Sequence, residues 1–188
     1  MQTTLSALLS ASLLLALLSG CKPLNSSAGT TQVTYVQVGL VRSPYNHFLA
    51  NWNEGKSPTF FAWIQSPEQY GQVFHPSPVQ GDNRKFGPEP TVFLKEGVLV
   101  VSKVVPASKT GSSAFQVESL TVKDGELELR YRFTAGATGA SYTIKDGLAL
   151  QLPKGPYSKV RFIENQTEVG TLAVSQGQWS SEGGTPGR

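Results

Sequence analysis

The chain has 188 residues, a formal net charge of +3 and one cysteine; 15% of its residues are charged and 39% are hydrophobic. This length is typical of one domain and suffices for a sizeable core. The low charged fraction excludes an acidic tail and a coiled coil. A single cysteine excludes an internal disulfide and a metal cluster built on several cysteines.

An uncharged apolar stretch covers residues 5–18 and is followed by Ser19, Gly20 and Cys21. It is too short for a settled helix across a hydrocarbon core of ~30 Å, but it suits the central region of a signal peptide. Its Leu-Ser-Gly-Cys ending resembles a bacterial lipobox. We therefore predict removal of a signal peptide at 1–20 and transfer of diacylglycerol to Cys21. The alternatives are a plain secretory signal and a buried leucine-rich helix with a chance cysteine.

The predicted lipid places the mature protein in the cell envelope. Acyl chains contribute about 0.8 kcal/mol per buried methylene, so several chains (palmitate among them) would hold Cys21 on a membrane without a spanning helix. Lys22 follows the cysteine where Asp would signal retention at the inner membrane, which favours the outer membrane if two are present. Residues 21–32 are then the lipidated cysteine and a flexible tether. Because the charges are scattered, we expect no nucleic-acid partner.

Residues 33–175 are predicted to form a single β-rich domain, and residues 176–188 a flexible tail in which the docking of Trp179 is left open. Apolar, β-branched stretches predict strands at 33–42, 59–64 and 99–105. One short helix with a capping box is predicted between the strands at 59–64 and 99–105. Its start is indicated by Ser66 as N-cap, Pro67 at N1 and Gln69 at N3.

The clearest element is a hairpin in which residues 126–133 alternate strictly between apolar and charged side chains. Asp124 and Gly125 suit the two positive φ angles of a type I′ turn. A two-residue loop would pair Lys123 with Glu126 on one face. On the other face it would pair apolar residues, Val122 with Leu127 and Leu120 with Leu129.

Two further turns are predicted, at Lys145-Asp146-Gly147 and at Asn165-Gln166-Thr167. They would separate strands at 142–144, 148–152, 159–164 and 168–174. Eight or nine short strands and one short helix predict an all-β fold, either an antiparallel β-sandwich or a partly open barrel.

The sequence predicts no catalytic residues, no metal site and no cofactor, because the common catalytic signatures are absent. Glu126 and Glu128 would project from one strand face at about 7 Å, a separation that carboxylates of glycoside hydrolases use. Arg130 and Arg132 share that face, so a solvated, ion-paired surface explains the charges without an active site.

Two segments are candidates for contact with a partner. Residues 76–90 form a long, proline-rich loop, and loops of such length are usually functional or disordered. Residues 43–54 mix aromatic and polar side chains. Together with a small-residue loop near residue 110, they supply the candidate binding residues Trp52, Arg84, Lys85, Phe86, Thr110 and Gly111.

Over residues 59–165 the order of elements resembles the PrcB-like protease-complex subunit domain of bacterial lipoproteins. The elements follow one another in this order: a capped helix, a buried strand, a small-residue loop, the hairpin, a leucine-rich strand ending at Pro153-Lys154, and a final K-V-R-F-I-E strand. Thr110 and Gly111 match the family's T-G-G-Y-like loop, whereas its second glycine is missing. A similar T-G-aromatic loop occurs in chagasin-type inhibitors of cysteine proteases, whose other loop motifs are absent here.

The resemblance implies a non-catalytic accessory subunit that binds or stabilises a protease at the cell surface. From the residues themselves, the main hypothesis is a lipid-anchored module that presents loops to a protein partner. The first alternative is a structural or carbohydrate-contacting envelope lipoprotein that uses exposed aromatic rings such as Trp52. The second is a hydrolase whose catalytic residues are dispersed along the chain.

Overall fold

The computed structural model describes residues 29–38, 49, 52–74, 88–108 and 114–182. No helix in these ranges has the length and hydropathy that crossing a membrane requires. The described residues form nine strands, one α-helix and two short 3-10 helices. The elements are β1 (Thr31–Gln32), β2 (Val36–Val38), β3 (Thr59–Ile64), α1 (Pro67–Val73), a 3-10 helix (Pro90–Leu94), β4 (Glu96–Ser108), β5 (Ala114–Lys123), β6 (Glu126–Thr134), β7 (Thr138–Pro153), β8 (Lys159–Glu164), β9 (Thr167–Leu172) and a 3-10 helix (Val174–Gln176).

The strands form two sheets, which confirms the all-β, sandwich-like fold. The five-stranded sheet has the order β1-β5-β6-β8-β9, and the four-stranded sheet has the order β2-β7-β4-β3. One pair departs from the expected antiparallel arrangement, since β6 and β8 run parallel, from Glu126 opposite Lys159 to Tyr131 opposite Glu164. Parallel neighbours need a crossover connection, and β7 supplies it by lying in the other sheet.

The first core fills the space between the sheets. Alternation along β6 directs Leu127, Leu129 and Tyr131 inward, and all three are fully buried. Across the gap, β4 and β7 contribute Leu99 and Leu150 to the same cluster. Burial of side chains of this size contributes about 1.5–3 kcal/mol each, so this layer dominates the stability of the sandwich.

A second core covers the outer face of the four-stranded sheet. The aromatic residues clustered between positions 52 and 74 are buried in one core or the other, as a core role predicts. Helix α1 and the first 3-10 helix pack here through Tyr70 and Phe93. Strand β4 is therefore buried on both faces, which explains its continuous apolar run from Val98 to Val101.

The locally encoded elements are confirmed. The hairpin turn has φ angles of 51° at Asp124 and 78° at Gly125, and the pairing of β5 with β6 has the predicted register. The Ser66 hydroxyl accepts a hydrogen bond from the N–H of Gln69 at 3.2 Å, so the helix start is also confirmed. The Gln69 side chain accepts in turn from the N–H of Gln65 at 2.7 Å, one residue before the N-cap.

The third turn is confirmed and is one residue shorter than predicted. Asn165 and Gln166 adopt positive φ angles of 47° and 70°, and Thr167 already pairs with Glu164 as the first residue of β9. Two positive φ angles in succession are typical of a type I′ turn.

The predicted turn at Lys145-Asp146-Gly147 is wrong. These residues lie inside β7 and pair without interruption with residues 102–104 of β4. The hydroxyl of Ser102 donates a hydrogen bond to the carbonyl oxygen of Asp146 at 2.8 Å, and the Asp146 carboxylate accepts from the N–H of Gly147 at 2.8 Å. Tertiary pairing thus overrides the local preference of Asp-Gly for a turn.

The first and last described segments also differ from the expected strands and tail. In the described part of the predicted strand at 33–42, Val36–Val38 form β2, and residues 39–42 lie outside the described residues. Strand β1 (Thr31–Gln32) lies before that range and joins the other sheet. Residues 179–181, expected within a flexible tail, lie against β3. Trp179 is buried there, and its carbonyl accepts a hydrogen bond from the N–H of Trp63 at 2.8 Å. Burial of the Trp179 indole explains this docking.

Close packing at Gly170 generates a first prediction. A methyl group at this position would meet the ring of Phe61, which stacks on Phe162 at 4.3 Å between ring centres. Gly170→Ala should lower the free energy of unfolding by about 1–3 kcal/mol, because the ring has to move within a packed layer. Urea unfolding followed by tryptophan fluorescence measures the loss.

Gly71→Ala is the matched control. Gly71 lies inside α1 with open space around its missing Cβ, so alanine should raise the free energy of unfolding by about 0.5–1 kcal/mol. Equal urea midpoints for the two variants would contradict the packing described at Gly170.

Candidate functional site

The sandwich has two ends, and the chain enters at one of them. Thr31 pairs with Val122 beside the β5–β6 turn, so Gly29 lies near that turn. The N–H of Ser158 donates to the carbonyl of Gly125 at 2.9 Å, which brings the β7–β8 connection to the same place. We call this the hairpin end. It contains the 124–125 turn, the 153–158 connection and the start of β4.

The opposite end, called the far end, is where β4 stops and β5 starts. Ser108 pairs with Thr138, and Ala114 pairs with Thr134, so residues 109–113 connect to the domain there. Strand β4 has thirteen residues and at ~3.3 Å per residue spans about 40 Å between the two ends.

The two loops named as contact candidates therefore join the domain at different places. Residues 109–113 join at the far end, whereas the 76–90 loop returns through Pro88 to the 3-10 helix before β4, at the hairpin end. One compact partner surface would not cover both attachment points at once.

Trp52 is the one predicted contact residue that the structure describes, and it is not a free aromatic surface. Its side chain is only 7% exposed, and its Nε1–H donates to the carbonyl of Ser57 at 2.9 Å. The ring lies 5.7 Å from that of Phe60, and the ammonium of Lys145 lies 5.1 Å from its centre. The expectation that Trp52 offers an exposed ring is thus wrong, because the residue anchors the outer core.

The other predicted site residues lie outside the described residues: Cys21, Arg84, Lys85, Phe86, Thr110 and Gly111. Their roles stay predictions.

Near the far end, three polar side chains bridge the two sheets. Glu164 of β8 accepts a hydrogen bond from the hydroxyl of Tyr131 at 2.9 Å. Its other carboxylate oxygen lies 2.6 Å from the ammonium of Lys103, which reaches across from β4. That ammonium also lies 4.5 Å from the centre of the Phe133 ring. We call Lys103, Glu164 and Tyr131 the inter-sheet bridge.

The inter-sheet bridge is largely withdrawn from water. The side chains of Lys103 and Glu164 are 20% and 12% exposed, and Tyr131 is fully buried. Burial, together with the neighbouring Glu164 carboxylate, raises the pKa of Tyr131 far above its usual value, so the phenol remains a protonated donor. Reduced solvation strengthens the interaction between Lys103 and Glu164 relative to a surface ion pair.

The outer face of the five-stranded sheet carries paired charges, as the alternation along β6 predicts, and β8 supplies partners that the hairpin register did not indicate. Glu128 accepts from Arg130 at 2.6 Å and from Arg161 at 3.0 Å, and Arg161 also binds Glu168. Glu126 lies 3.4 Å from Lys159. Both carboxylates considered for glycoside hydrolysis are therefore held by cations on neighbouring strands.

Beside these pairs lies an open hollow of about 450 Å³ at the hairpin end. Its lining mixes cations and carboxylates, several of which already pair with one another: Thr30, Thr121, Lys123, Asp124, Glu126, Glu128, Ser158 and Arg161. Across the part of the chain that the structure describes, no group of three or more His, Cys, Asp or Glu side chains is placed to hold a metal ion.

Sequence reasoning missed the inter-sheet bridge although a signal for it was present. Glu164 shares its strand face with Val160 and Phe162, which are both fully buried. Lys103 likewise shares its face with the buried Leu99 and Val101. A charged residue that continues an inward-facing apolar series needs a partner inside, and two such residues of opposite sign predict a pair.

Comparisons with protein-family models, with curated proteins and with solved structures each found no match to this chain.

Removing the central carboxylate of the inter-sheet bridge tests its contribution to stability. Glu164→Ala leaves the buried Tyr131 hydroxyl without its acceptor and Lys103 without its counter-charge. The free energy of unfolding should fall by about 2–3 kcal/mol, measured by urea denaturation at neutral pH.

The control is Glu168→Ala on the adjacent strand. Glu168 is 43% exposed and pairs with Arg161, which keeps Glu128 as a partner, so the loss should stay below about 1 kcal/mol. Equal losses for the two variants would contradict a special role for the bridge.

Proposed function

We propose that the protein is a lipid-anchored, non-catalytic subunit of the bacterial cell envelope whose far end binds a protein partner, with a cell-surface protease as the favoured class. The observation that carries this proposal is the separation of the two ends. The chain enters the domain at the hairpin end, whereas the Thr110-Gly111 loop connects to the far end.

The anchor half of the proposal rests on the Leu-Ser-Gly-Cys motif. Only seven residues separate Cys21 from Gly29, where the described domain begins. Fully extended, this stretch spans at most about 29 Å. Acylation of Cys21 would keep the hairpin end within that distance of the bilayer, and the far end could extend about 40 Å further from it.

The partner half rests on the loop at residues 109–113 and its support. Binding loops are commonly carried by rigid scaffolds, and the inter-sheet bridge ties β4 to β6 and β8 at Lys103, five positions before β4 ends at Ser108. The resemblance of Thr110 and Gly111 to the PrcB-like loop supports a protease as the partner. A non-catalytic role accords with the pairing of Glu126 and Glu128 to cations.

The alternative of a carbohydrate-contacting lipoprotein is weakened by the position of Trp52. That hypothesis named Trp52 as an exposed ring for sugar stacking, and the indole is buried against Phe60 and Lys145. The protein partner is therefore the better-supported reading of the two.

Co-purification from native envelopes tests the proposal. The full-length protein, tagged at its C-terminus, is extracted in mild detergent, and bound proteins are identified by quantitative mass spectrometry. The double variant Thr110→Ala/Gly111→Ala should lower recovery of the partner at least about tenfold, the equivalent of ~1.4 kcal/mol in binding. Lys123→Ala, an exposed change at the hairpin end, is the matched control and should leave recovery unchanged.

The lipid anchor is tested in the same preparation by measuring how much of the protein is in the membrane fraction. Cys21→Ser should move the protein from the membrane fraction, because the thiol that accepts the lipid is gone. Recovery of no specific partner with the wild-type protein would overturn the partner half. An unchanged membrane fraction for Cys21→Ser from which the leader has been removed would overturn the anchor half.

A further inference from the structure

Exposed apolar side chains are concentrated at the hairpin end. Five large hydrophobic residues are exposed within the described ranges: Tyr35, Val36, Leu94, Tyr142 and Val169. Leu94 and Val36 are exposed by 78% and 62%, and Tyr35 by 36%. We call Tyr35, Val36 and Leu94 the basal patch.

Strand register places Leu94 and Val36 at the same end of the four-stranded sheet. Leu94 ends the 3-10 helix two residues before Glu96, and Glu96 pairs with Pro153 at the last position of β7. Val36 pairs with Gln151, only two residues further up the same strand. Because β2 and β4 are both neighbours of β7, their axes lie about 10 Å apart. Val36 and Leu94 therefore lie near each other at the hairpin end, and Tyr35 directly precedes Val36.

Two lysine residues lie beside the Leu94 end of the basal patch. Lys95 follows Leu94 directly and is exposed, and the ammonium of Lys154 donates to the carbonyl of Phe93 at 2.5 Å. The one carboxylate in the immediate strand pairing, Glu96, accepts a hydrogen bond from Gln151. The stem of an exposed lysine such as Lys95 can cover apolar surface while its ammonium group reaches outward, which suits a boundary between hydrocarbon and phosphate.

The position of the chain entry indicates what covers this surface. Gly29 lies at the same end as the basal patch, and only seven residues separate it from Cys21. Exposed leucine, valine and tyrosine beside lysines are typical of surfaces that rest in the headgroup region of a bilayer. We propose that the basal patch contacts the lipid bilayer and inserts Leu94 at its interface, an inference that rests on the proposed lipid anchor at Cys21.

Contact through the basal patch would fix the orientation of the domain. A tether alone permits the sandwich to tumble, whereas a second contact restricts it, since the anchor raises the local concentration of the patch at the membrane. The β4 axis would then point away from the bilayer, with the far end outermost.

Site-specific fluorescence tests this contact on the full acylated protein. Its natural cysteine is the only one in the chain and carries the lipid, so an introduced cysteine is labelled uniquely. Leu94→Cys and Val36→Cys are labelled with an environment-sensitive nitrobenzoxadiazole probe and placed in vesicles of phosphatidylethanolamine and phosphatidylglycerol. Tyr142→Cys is the matched control, since Tyr142 is 64% exposed on β7 toward the far end.

Emission at positions 94 and 36 should shift to shorter wavelength on vesicles. Spin-labelled lipids should quench both probes severalfold more strongly than the probe at position 142. Equal, water-like emission and equal quenching at positions 94 and 142 would overturn the proposal. A blue shift at position 94 without quenching by lipid labels would also overturn it, because it would indicate a protein covering the patch.

Flotation of the vesicles separates this proposal from the anchor. Acylated protein that floats with the vesicles but shows no quenching at position 94 overturns the basal contact and leaves the anchor standing. Protein that does not float, although its leader has been removed, overturns the anchor and the basal contact together.

Discussion

The structure depends on the burial of both faces of the four-stranded sheet. Its inner face packs on the five-stranded sheet, and its outer face packs under α1, Trp52 and Trp179. Strands β4 and β7 pair over nearly their whole length, and the pairs between residues 98–101 and 148–151 lie in an apolar setting, where backbone hydrogen bonds are obligatory. A rigid centre of this kind leaves chemical variation to the two ends of the sandwich, and the proposals above assign those ends to the membrane and to the partner.

Elements encoded by neighbouring residues were predictable from the sequence. The Asp124-Gly125 turn and the Ser66 cap each need residue types a few positions apart, and both formed as expected. Asp146-Gly147 carries the same turn signal and lies inside a strand, because Ser102 and the rest of β4 pair with it from more than forty positions away. The parallel pairing of β6 with β8 likewise results from the path of β7 through the other sheet, which no local pattern encodes.

The candidate site was less predictable for the same reason. The aromatic residues near Trp52 were compatible with either a core position or an exposed binding surface. Only the packing of Trp52 against Phe60 and Lys145 shows that it belongs to the core. Strand parity held a usable signal for Lys103 and Glu164, which each continue an inward-facing series. The loop residues Thr110 and Gly111 lie outside the described residues, so their part in binding stays a prediction from the sequence and from the family resemblance.

One covalent event and one geometric fact together define the proposed function: a lipid on Cys21 would hold the end of the sandwich at which the chain enters. The most direct test is the intact mass of the protein purified from native membranes. The account predicts a chain that begins at Cys21 and carries the added mass of diacylglycerol and any further acyl group. A mass that includes residues 1–20, or an unmodified Cys21 thiol, would contradict it.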